Sequence, residues 1–165
     1  MKKYIIQLII VGLTWGLCSC EQDFGQFNRD NQPDYPVLFS NATAFGGDPF
    51  ISISASEDDA IVFVLEIPEH LGMGIKEITA VAAGNNSING NTLRDAGDYL
   101  DAPIAGDGNK VTFETSLEEF RTKRPSVTLN IPETGFTDNV AFMFLVTLEN
   151  NETVIPMRTR VRVRK

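Results

Sequence analysis

The chain predicts an all-β domain built from two packed sheets, and three features of the sequence carry that prediction. Short apolar runs recur along the chain, and several alternate with period two, as expected of strands with one buried face. Clusters of Gly, Asn, Asp and Pro separate these runs, and helical periodicity is almost absent. The 165 residues, 42% of them hydrophobic, suit one domain. Seven to eight short strands in this arrangement favour a sandwich of immunoglobulin-like type with one short helix.

The predicted elements follow one another between turn residues. The strands span residues 50–54, 60–67, 75–83, 110–115, 126–131, 140–148 and 153–163. The stretch 84–109 is rich in Asn, Gly and Asp, and we expect a loop there with at most a short edge strand. Ser116 and Glu119 have the spacing of a capping box, which predicts a helix of one or two turns from Leu117 to about Lys123.

The last two strands allow a prediction of register. A two-residue turn at Asn150-Asn151 places Phe142 opposite Thr159, and a four-residue loop in the same register is an equal alternative. Met143 and Leu145 then point away from the core, where either the long loop or a protein partner must cover them. The core face of this pair is predicted to carry Phe142, Phe144, Val146 and Leu148 together with Thr153, Ile155, Met157 and Thr159.

The N-terminus has the pattern of a signal peptide. Lys2 and Lys3 precede a mostly apolar stretch at 4–17, which is too short and too interrupted for a bilayer-spanning helix. The next residues, Leu17-Cys18-Ser19-Cys20, resemble the lipobox of bacterial lipoproteins, in which a small residue precedes the cysteine that receives the lipid. The match selects Cys20. The alternative is an ordinary secreted protein in which Cys20 has no such role.

This resemblance divides the chain into three parts. They are a lipoprotein signal peptide at 1–19, the lipidated Cys20 with a flexible tether to residue 36, and a β-sandwich domain at 37–165. Glu21 stands where an Asp retains lipoproteins in the inner membrane of enteric bacteria, so an outer-membrane location is implied. The acidic run Cys20-Glu21-Gln22-Asp23 also resembles the tag of surface-exposed lipoproteins of Bacteroidetes, which implies a place on the cell surface.

Composition argues against several classes of function. The formal net charge of -8 and pI of about 4.6 make a nucleic-acid partner unexpected, because phosphate binding needs a basic face. The two cysteines stand at 18 and 20, and His70 is the only histidine, so the domain lacks parts for a Cys-based or His-based metal site or a Ser/His/Asp relay. No carboxylate pair is singled out for hydrolysis. We therefore predict no enzyme activity, no cofactor and no metal.

Two charged groups are candidates for binding. Four arginines alternate along the last strand and form what we call the arginine row: Arg158, Arg160, Arg162 and Arg164. The row suits an anionic ligand or partner. Alternatively, it is a charged terminal strand that discourages edge pairing and binds the protein's own carboxylates.

Loop acids form the second group. Asp95, Asp98, Asp101 and Asp107 are either ligands for Ca²⁺ or solvated loop residues, and their spacing matches no calcium motif. The same alternatives apply to Glu57-Asp58-Asp59.

The order of segments adds a second resemblance. Ile75-Lys76-Glu77-Ile78, the long loop, Val111-Thr112-Phe113, Ser126-Val127-Thr128-Leu129 and the final pair of strands are similar to small lipoproteins of Bacteroidetes, often encoded near starch-utilisation-type uptake systems. The resemblance implies a non-enzymatic binding or accessory subunit whose partner is an outer-membrane protein or a glycan. Direct glycan binding is disfavoured because the mature chain has no Trp. The alternative is a structural subunit of a cell-surface or fimbria-type assembly that joins partners by β-strand addition.

Overall fold

The computed structural model describes residues 33–44, 47–56, 59–96 and 99–165. The chain separates into two compact units, Met1–Asp34 and Tyr35–Lys165, and the second contains the strands of the domain. The predicted signal peptide and the lipid acceptor Cys20 lie outside the described residues. Of the predicted tether, Tyr35 packs against the domain core.

The domain contains nine strands, two short helices and one 3-10 turn within the described residues. The helices are α1 (Gly90–Ala96) and α2 (Leu117–Lys123), and the 3-10 turn is Glu69–Leu71. The strands are β1 (Leu38–Phe39), β2 (Phe50–Ser54), β3 (Ala60–Glu66), β4 (Ile75–Gly84), β5 (Ile104–Ala105), β6 (Lys110–Ser116), β7 (Thr137–Leu148), β8 (Thr153–Val154) and β9 (Thr159–Arg164).

These strands form two sheets that pack as a sandwich, which confirms the predicted fold class. One sheet has the order β1-β3-β6, and the other has the order β2-β9-β7-β4-β5 with β8 paired to β7. Every pair is antiparallel except β2 with β9, which run parallel. Strand β7 of the larger sheet faces β3 and β6 of the smaller sheet, because Phe142 and Phe144 contact Phe63 and Phe113.

Aromatic side chains fill the space between the sheets. The Phe142 ring lies 5.5 Å from the Phe113 ring and 5.9 Å from the Phe63 ring, so β7 contacts both β6 and β3. Tyr99 and Phe120 approach the same ring from the loop before β5 and from α2, at 5.6 and 5.8 Å. All five of these side chains are at most 1% exposed. The large apolar area that they bury is the main source of stability.

Helix α2 is confirmed together with its cap. The Ser116 hydroxyl accepts a hydrogen bond from the Glu119 backbone N–H at 3.0 Å, and Leu117 and Phe120 are buried on one face. The helix has the predicted bounds because both signals are local: the capping residue stands directly before it, and its apolar positions are three residues apart.

Two predictions about secondary structure were wrong. Residues 126–131 form no strand, although Val127, Leu129 and Ile131 pack against the core on alternate positions as predicted. The alternating pattern thus indicates burial alone, since none of the described strands pairs with this segment. Within the predicted loop 84–109, residues 90–96 form α1, while the expected short edge strand is β5. Gly90 and Asn91 are poor helix formers, so propensity did not indicate this helix.

Helix α1 exists because it covers apolar residues on the outer face of the larger sheet. Leu93 of α1 and Ile88 before it pack with Met143 and with the small residues Ala82 and Ala141. Met143 is 8% exposed as a result. Of the two predicted ways to cover this face, the long loop is the one observed.

The β7–β8 connection changes the predicted register near the turn. The Leu148 N–H donates to the Glu152 carbonyl, and the Asn151 N–H donates to the Leu148 carbonyl, both at 2.9 Å, so the loop has three residues. Asn151 takes the positive φ of 66° that such a loop requires. Val146 therefore pairs with Val154, one residue away from the predicted partner.

The chain recovers the predicted register only at β9. There Phe142 pairs with Thr159, as predicted. Between β8 and β9 the ladder is interrupted at residues 155–158, where Pro156 is buried. Ile155 and Met157 are 44% and 59% exposed, so their predicted core positions were wrong. A shift of one residue near the turn moves alternate side chains to the opposite face, which explains the error.

Candidate functional site

The arginine row lies on the outer face of the larger sheet. Val161 and Val163 of β9 are fully buried, and Arg160, Arg162 and Arg164 alternate with them on the other side. Arg158 precedes β9 on the same face. β9 pairs with both β2 and β7, so the row is not at a sheet edge, and protection of an exposed edge does not account for it.

Asp48 binds two members of the row. Its Oδ2 atom accepts hydrogen bonds from Arg158 at 2.5 and 2.8 Å and from Arg160 Nε at 2.9 Å. Arg160 also reaches Asp138 at 3.2 Å. Partial burial raises the pKa of Asp48, but the hydrogen bonds and charges of the two guanidinium groups outweigh it and hold the pKa below its ordinary value. Asp48 is therefore ionised under neutral conditions.

Arg158 also joins three separate segments. Its Nη1 atom donates to the backbone carbonyls of Asn86 at 2.5 Å and Ile88 at 3.3 Å, in the segment that leads into α1. Asp48 stands just before β2, and Arg158 stands just before β9. These contacts therefore connect the segments that precede β2, β9 and α1. Arg158 and Arg160 thus stabilise the fold. They pair with the protein's own carboxylates, as in the second of the two predicted roles of the row.

Arg162 and Arg164 differ from the other two. The Arg162 guanidinium lies between two aromatic rings, 3.5 Å from the Phe50 centroid and 4.5 Å from the Phe136 centroid, which is a favourable cation–π geometry. A cavity of about 170 Å³ beside it is lined by Asp48, Asp138, Arg160 and Arg162 among others. Arg164 is exposed and has no carboxylate partner among the described residues. It is therefore the member of the row that is open to a ligand.

A larger opening lies on the side of the sandwich, and we call it the side groove. Its volume is about 500 Å³. It is lined by Asn41, Thr43, Phe50, Ile51, Ser52, Ile53, Ser54, Ala60, Val62 and Arg164. The groove therefore runs between β2, which is the edge strand of the larger sheet, and β3 of the smaller sheet. Arg164 of the arginine row reaches it.

The edge of β2 is unpaired along this groove. Pro49 and Ala55 hydrogen-bond to β9, through Arg160 N–H to the Pro49 carbonyl and Ala55 N–H to the Arg164 carbonyl, each at 2.8 Å. The backbone N–H and C=O of Phe50 instead point away from β9. Both are hydrogen-bonded to the backbone of Thr43, at 2.8 and 2.9 Å. Backbone groups alternate in direction along a strand, so those of Ser52 and Ser54 also point into the groove. No hydrogen bond satisfies them among the described residues.

The opposite wall of the groove is closed by one side chain. The Asn41 amide donates to the Val62 carbonyl and accepts from the Val64 N–H, both at 2.9 Å, in the manner of a paired strand. Residues 40–43 pass from β3 to β2, so the chain stops pairing with β3 and begins to pair with β2 within four residues. This crossing between the sheets opens the groove and leaves only the β2 edge available.

The other charged candidates do not converge. Asp101 is close to fully exposed and lies 3.7 Å from Lys123, and Asp107 forms a backbone bridge with Lys110. Asp98, Glu57 and Asp58 lie outside the described residues, as does the side chain of Asp95. Among the side chains that the structure describes, no group of three or more His, Cys, Asp and Glu is placed to hold a metal ion. His70 is exposed in the 3-10 turn.

Tyr99 anchors the loop before β5 through a relay of hydrogen bonds. Thr115 Oγ1 donates to Glu119 Oε2 at 2.8 Å, so the Tyr99 hydroxyl, 2.8 Å from Thr115 Oγ1, is the donor in that pair. Lys123 Nζ donates to the Tyr99 carbonyl at 2.8 Å and pairs with Glu119 at 3.0 Å. Hydrogen bonds from Lys123 and Thr115 lower the pKa of Glu119. This cluster joins the loop to α2 and is a structural feature.

We expect Tyr99→Phe to lower the free energy of unfolding by about 1 kcal/mol, the usual net value of one neutral hydrogen bond. Burial raises the pKa of Tyr99 to about 12 from 10.0. The contribution of the neutral phenol is therefore fully present below pH 10 and is lost as the pH rises toward 12. Urea unfolding of both proteins across this range is the measurement. A wild-type protein whose alkaline loss of stability matches that of Tyr99→Phe would contradict the assignment.

Comparison of the chain with protein-family models, curated proteins and solved structures finds no match in any of the three. In the part of the chain that the structure describes, no helix is both long and apolar enough to cross a membrane.

Sequence reasoning missed four residues that shape these surfaces: Asp48, Asn41, Phe50 and Phe136. Asp48 lies 110 residues from Arg158 in the chain, and no local pattern marks it as the partner. The sequence does not distinguish Asn41 from an ordinary turn residue, because its role depends on the contact of its amide with β3. Phe50 was placed on a strand, but its contact with Arg162 depends on the parallel pairing of β2 with β9.

Proposed function

We propose that the protein is a lipid-anchored, non-enzymatic binding subunit that holds a β-sandwich domain at a membrane. The observation that carries the proposal is the lipobox-like sequence Leu17-Cys18-Ser19-Cys20 ahead of a folded sandwich. A thiol is required at the acceptor position because the diacylglycerol is attached to sulfur as a thioether. Two or three acyl chains give stable anchoring, whereas one gives only reversible binding.

The described surfaces support a protein partner over a glycan. Sugar platforms need exposed flat aromatic rings, but Tyr99 is 1% exposed and Tyr35 packs against the core. Phe136 is half exposed, and its ring is already stacked on the Arg162 guanidinium. The side groove, in contrast, presents unsatisfied backbone groups of the kind that bind another polypeptide.

Metabolic labelling tests the anchor. Bacterial cells that express the wild-type chain are grown with labelled palmitate, alongside the variants Cys20→Ser and Cys18→Ser. We expect label in the wild type and in Cys18→Ser, and none in Cys20→Ser, because serine cannot form the thioether. Cys18→Ser is the matched control, since it removes a thiol two residues away. Label in Cys20→Ser, or none in the wild type, would refute the anchor.

A second candidate function is assembly, and the side groove is the observation that favours it. An unpaired edge strand can take up a strand from another subunit and so join copies into a polymer. Size-exclusion chromatography with light scattering separates the two roles. Polymers that grow with protein concentration support assembly, and a monomer that retains a defined membrane protein after detergent extraction supports the binding subunit.

A further inference from the structure

We propose that the side groove binds an extended acidic peptide strand, which pairs with the β2 edge and meets Arg164. This inference rests on the proposed binding role, and it names the binding face and the chemistry of the partner. It does not depend on the lipid at Cys20.

The backbone supplies the first part of the argument. By the alternation along β2, Ser52 and Ser54 each direct one N–H and one C=O toward the groove; Ser52 is exposed and Ser54 is 7% exposed, so an incoming strand gains at least the two hydrogen bonds of Ser52. The Thr43–Phe50 bridge shows that β2 already accepts an antiparallel partner at its first residue. The incoming strand would continue that ladder along β2 after the protein's own chain has crossed to β3. The Asn41 amide already bonds to the backbone of β3, so the incoming strand would pair with β2.

Charge supplies the second part. On the outer face, β2 contributes Ser52 and Ser54, which stand beside Arg162 and Arg164 of β9 in the parallel register. A strand added beyond β2 lies about 10 Å from β9, two strand spacings away. Serine is short, so the long Arg164 side chain can reach across Ser54 to a carboxylate on the added strand. Side chains at the alternate positions point inward toward Ile53 and Val62, where small apolar residues fit.

The same charges disfavour a second copy of this chain as the occupant. If two β2 strands paired with each other, the β9 strands of the two copies would lie about 14 Å apart, and Arg164 of each copy would extend over its own Ser54 toward the shared edge. Guanidinium groups that extend toward one edge without a carboxylate between them repel one another. An acidic strand removes this repulsion and adds an ion pair with the one arginine of the row that is exposed and without a carboxylate partner among the described residues.

The test is a titration of detergent-solubilised full-length protein with two fluorescent peptides. One is Ac-Glu-Val-Glu-Val-Glu, and the other is the same peptide with lysine in place of glutamate; anisotropy reports binding. We expect saturable binding of the acidic peptide that weakens at high salt, and at least about tenfold weaker binding of the basic peptide. Equal binding of both peptides, or no saturation by either, would overturn the proposal.

Two variants locate the binding. Ser52→Pro removes an N–H that points into the groove and forms no hydrogen bond with β9. It should weaken binding of the acidic peptide at least about tenfold. Ser52→Thr keeps that N–H and is its matched control. Arg164→Glu, an exposed change that leaves the backbone ladder intact, should reverse the peptide preference. Thermal unfolding of each variant verifies that it is folded.

The remaining outcomes separate this inference from the proposed function. If full-length protein retains a membrane partner equally in the wild type and in Ser52→Pro, the binding role holds and the groove is the wrong face. If the wild type forms dimers that Ser52→Pro abolishes, the occupant is a second copy and the acidic strand is refuted. The Cys20→Ser variant, which is expected to carry no lipid label, should bind the acidic peptide as tightly as the wild type does.

Discussion

Replacement of Phe142 by alanine is expected to lower the free energy of unfolding by about 4 kcal/mol, a value typical of buried aromatic residues. The side chain is fully buried, and its ring lies within 6.4 Å of five other aromatic rings, from both sheets, α2 and the loop before β5. The cavity left by alanine is bounded by elements that already contact one another, so the surroundings have little freedom to collapse. Urea unfolding monitored by circular dichroism is the measurement.

Phe136→Ala is the control for this prediction. Its ring is 49% exposed and contacts Arg162 on one face, so we expect a loss of less than about 1 kcal/mol. Similar losses for the two variants would mean that the aromatic cluster around Phe142 is not the centre of the core.

Asp48→Asn is expected to lower the free energy of unfolding by about 2 kcal/mol, the range for hydrogen bonds to charged groups. The change keeps the shape of the side chain but leaves Arg158 and Arg160 facing a neutral amide in a partly buried place, where the Asp48 side chain is 19% exposed. The effect should extend beyond β2, because Arg158 also holds the carbonyls of Asn86 and Ile88. Hydrogen exchange should therefore report faster opening of α1 as well as of β2.

The dependence on pH gives this prediction a second readout. The pKa of Asp48 is lowered in the folded protein, so the stabilisation is present above the unfolded value of 3.8 and is lost as the pH falls through the lower folded value. The difference between wild type and Asp48→Asn should shrink in that acid range. Asp138→Asn is the control, since the Asp138 side chain is 41% exposed and pairs with one arginine of the described residues, Arg160 at 3.2 Å. A difference that persists unchanged in acid would contradict the role of the carboxylate.

The sequence predicted those parts of the fold that depend on near neighbours. Alternation along residues 50–54 and 110–115 indicated strands, and the Ser116 and Glu119 spacing indicated the start of α2, because each signal lies within a few residues of the structure it predicts. The all-β sandwich followed from the number and spacing of such segments.

The errors arose where contacts between residues distant in the chain determine the local structure. Residues 126–131 alternate in burial like a strand, but whether an extended segment joins a sheet depends on a partner backbone, which periodicity does not encode. Helix α1 forms against Met143 despite weak propensity, and the exposed Ile155 and Met157 follow from a three-residue loop where two or four were expected. Of the candidate site, the sequence showed the alternation of the arginine row, but which of its members are paired depends on the distant residues Asp48 and Asp138.

The parallel pairing of β2 with β9 has a mechanical consequence. These strands come from opposite ends of the domain, and five residues of β2 are in register with β9. Pulling the two ends of the domain apart draws these neighbours past each other along their length. Their hydrogen bonds then carry the load in shear and must rupture together, in contrast to an antiparallel pair pulled from one end, which opens one bond at a time. A domain held at its N-terminal side and loaded at its C-terminal side is thus built to resist stretching.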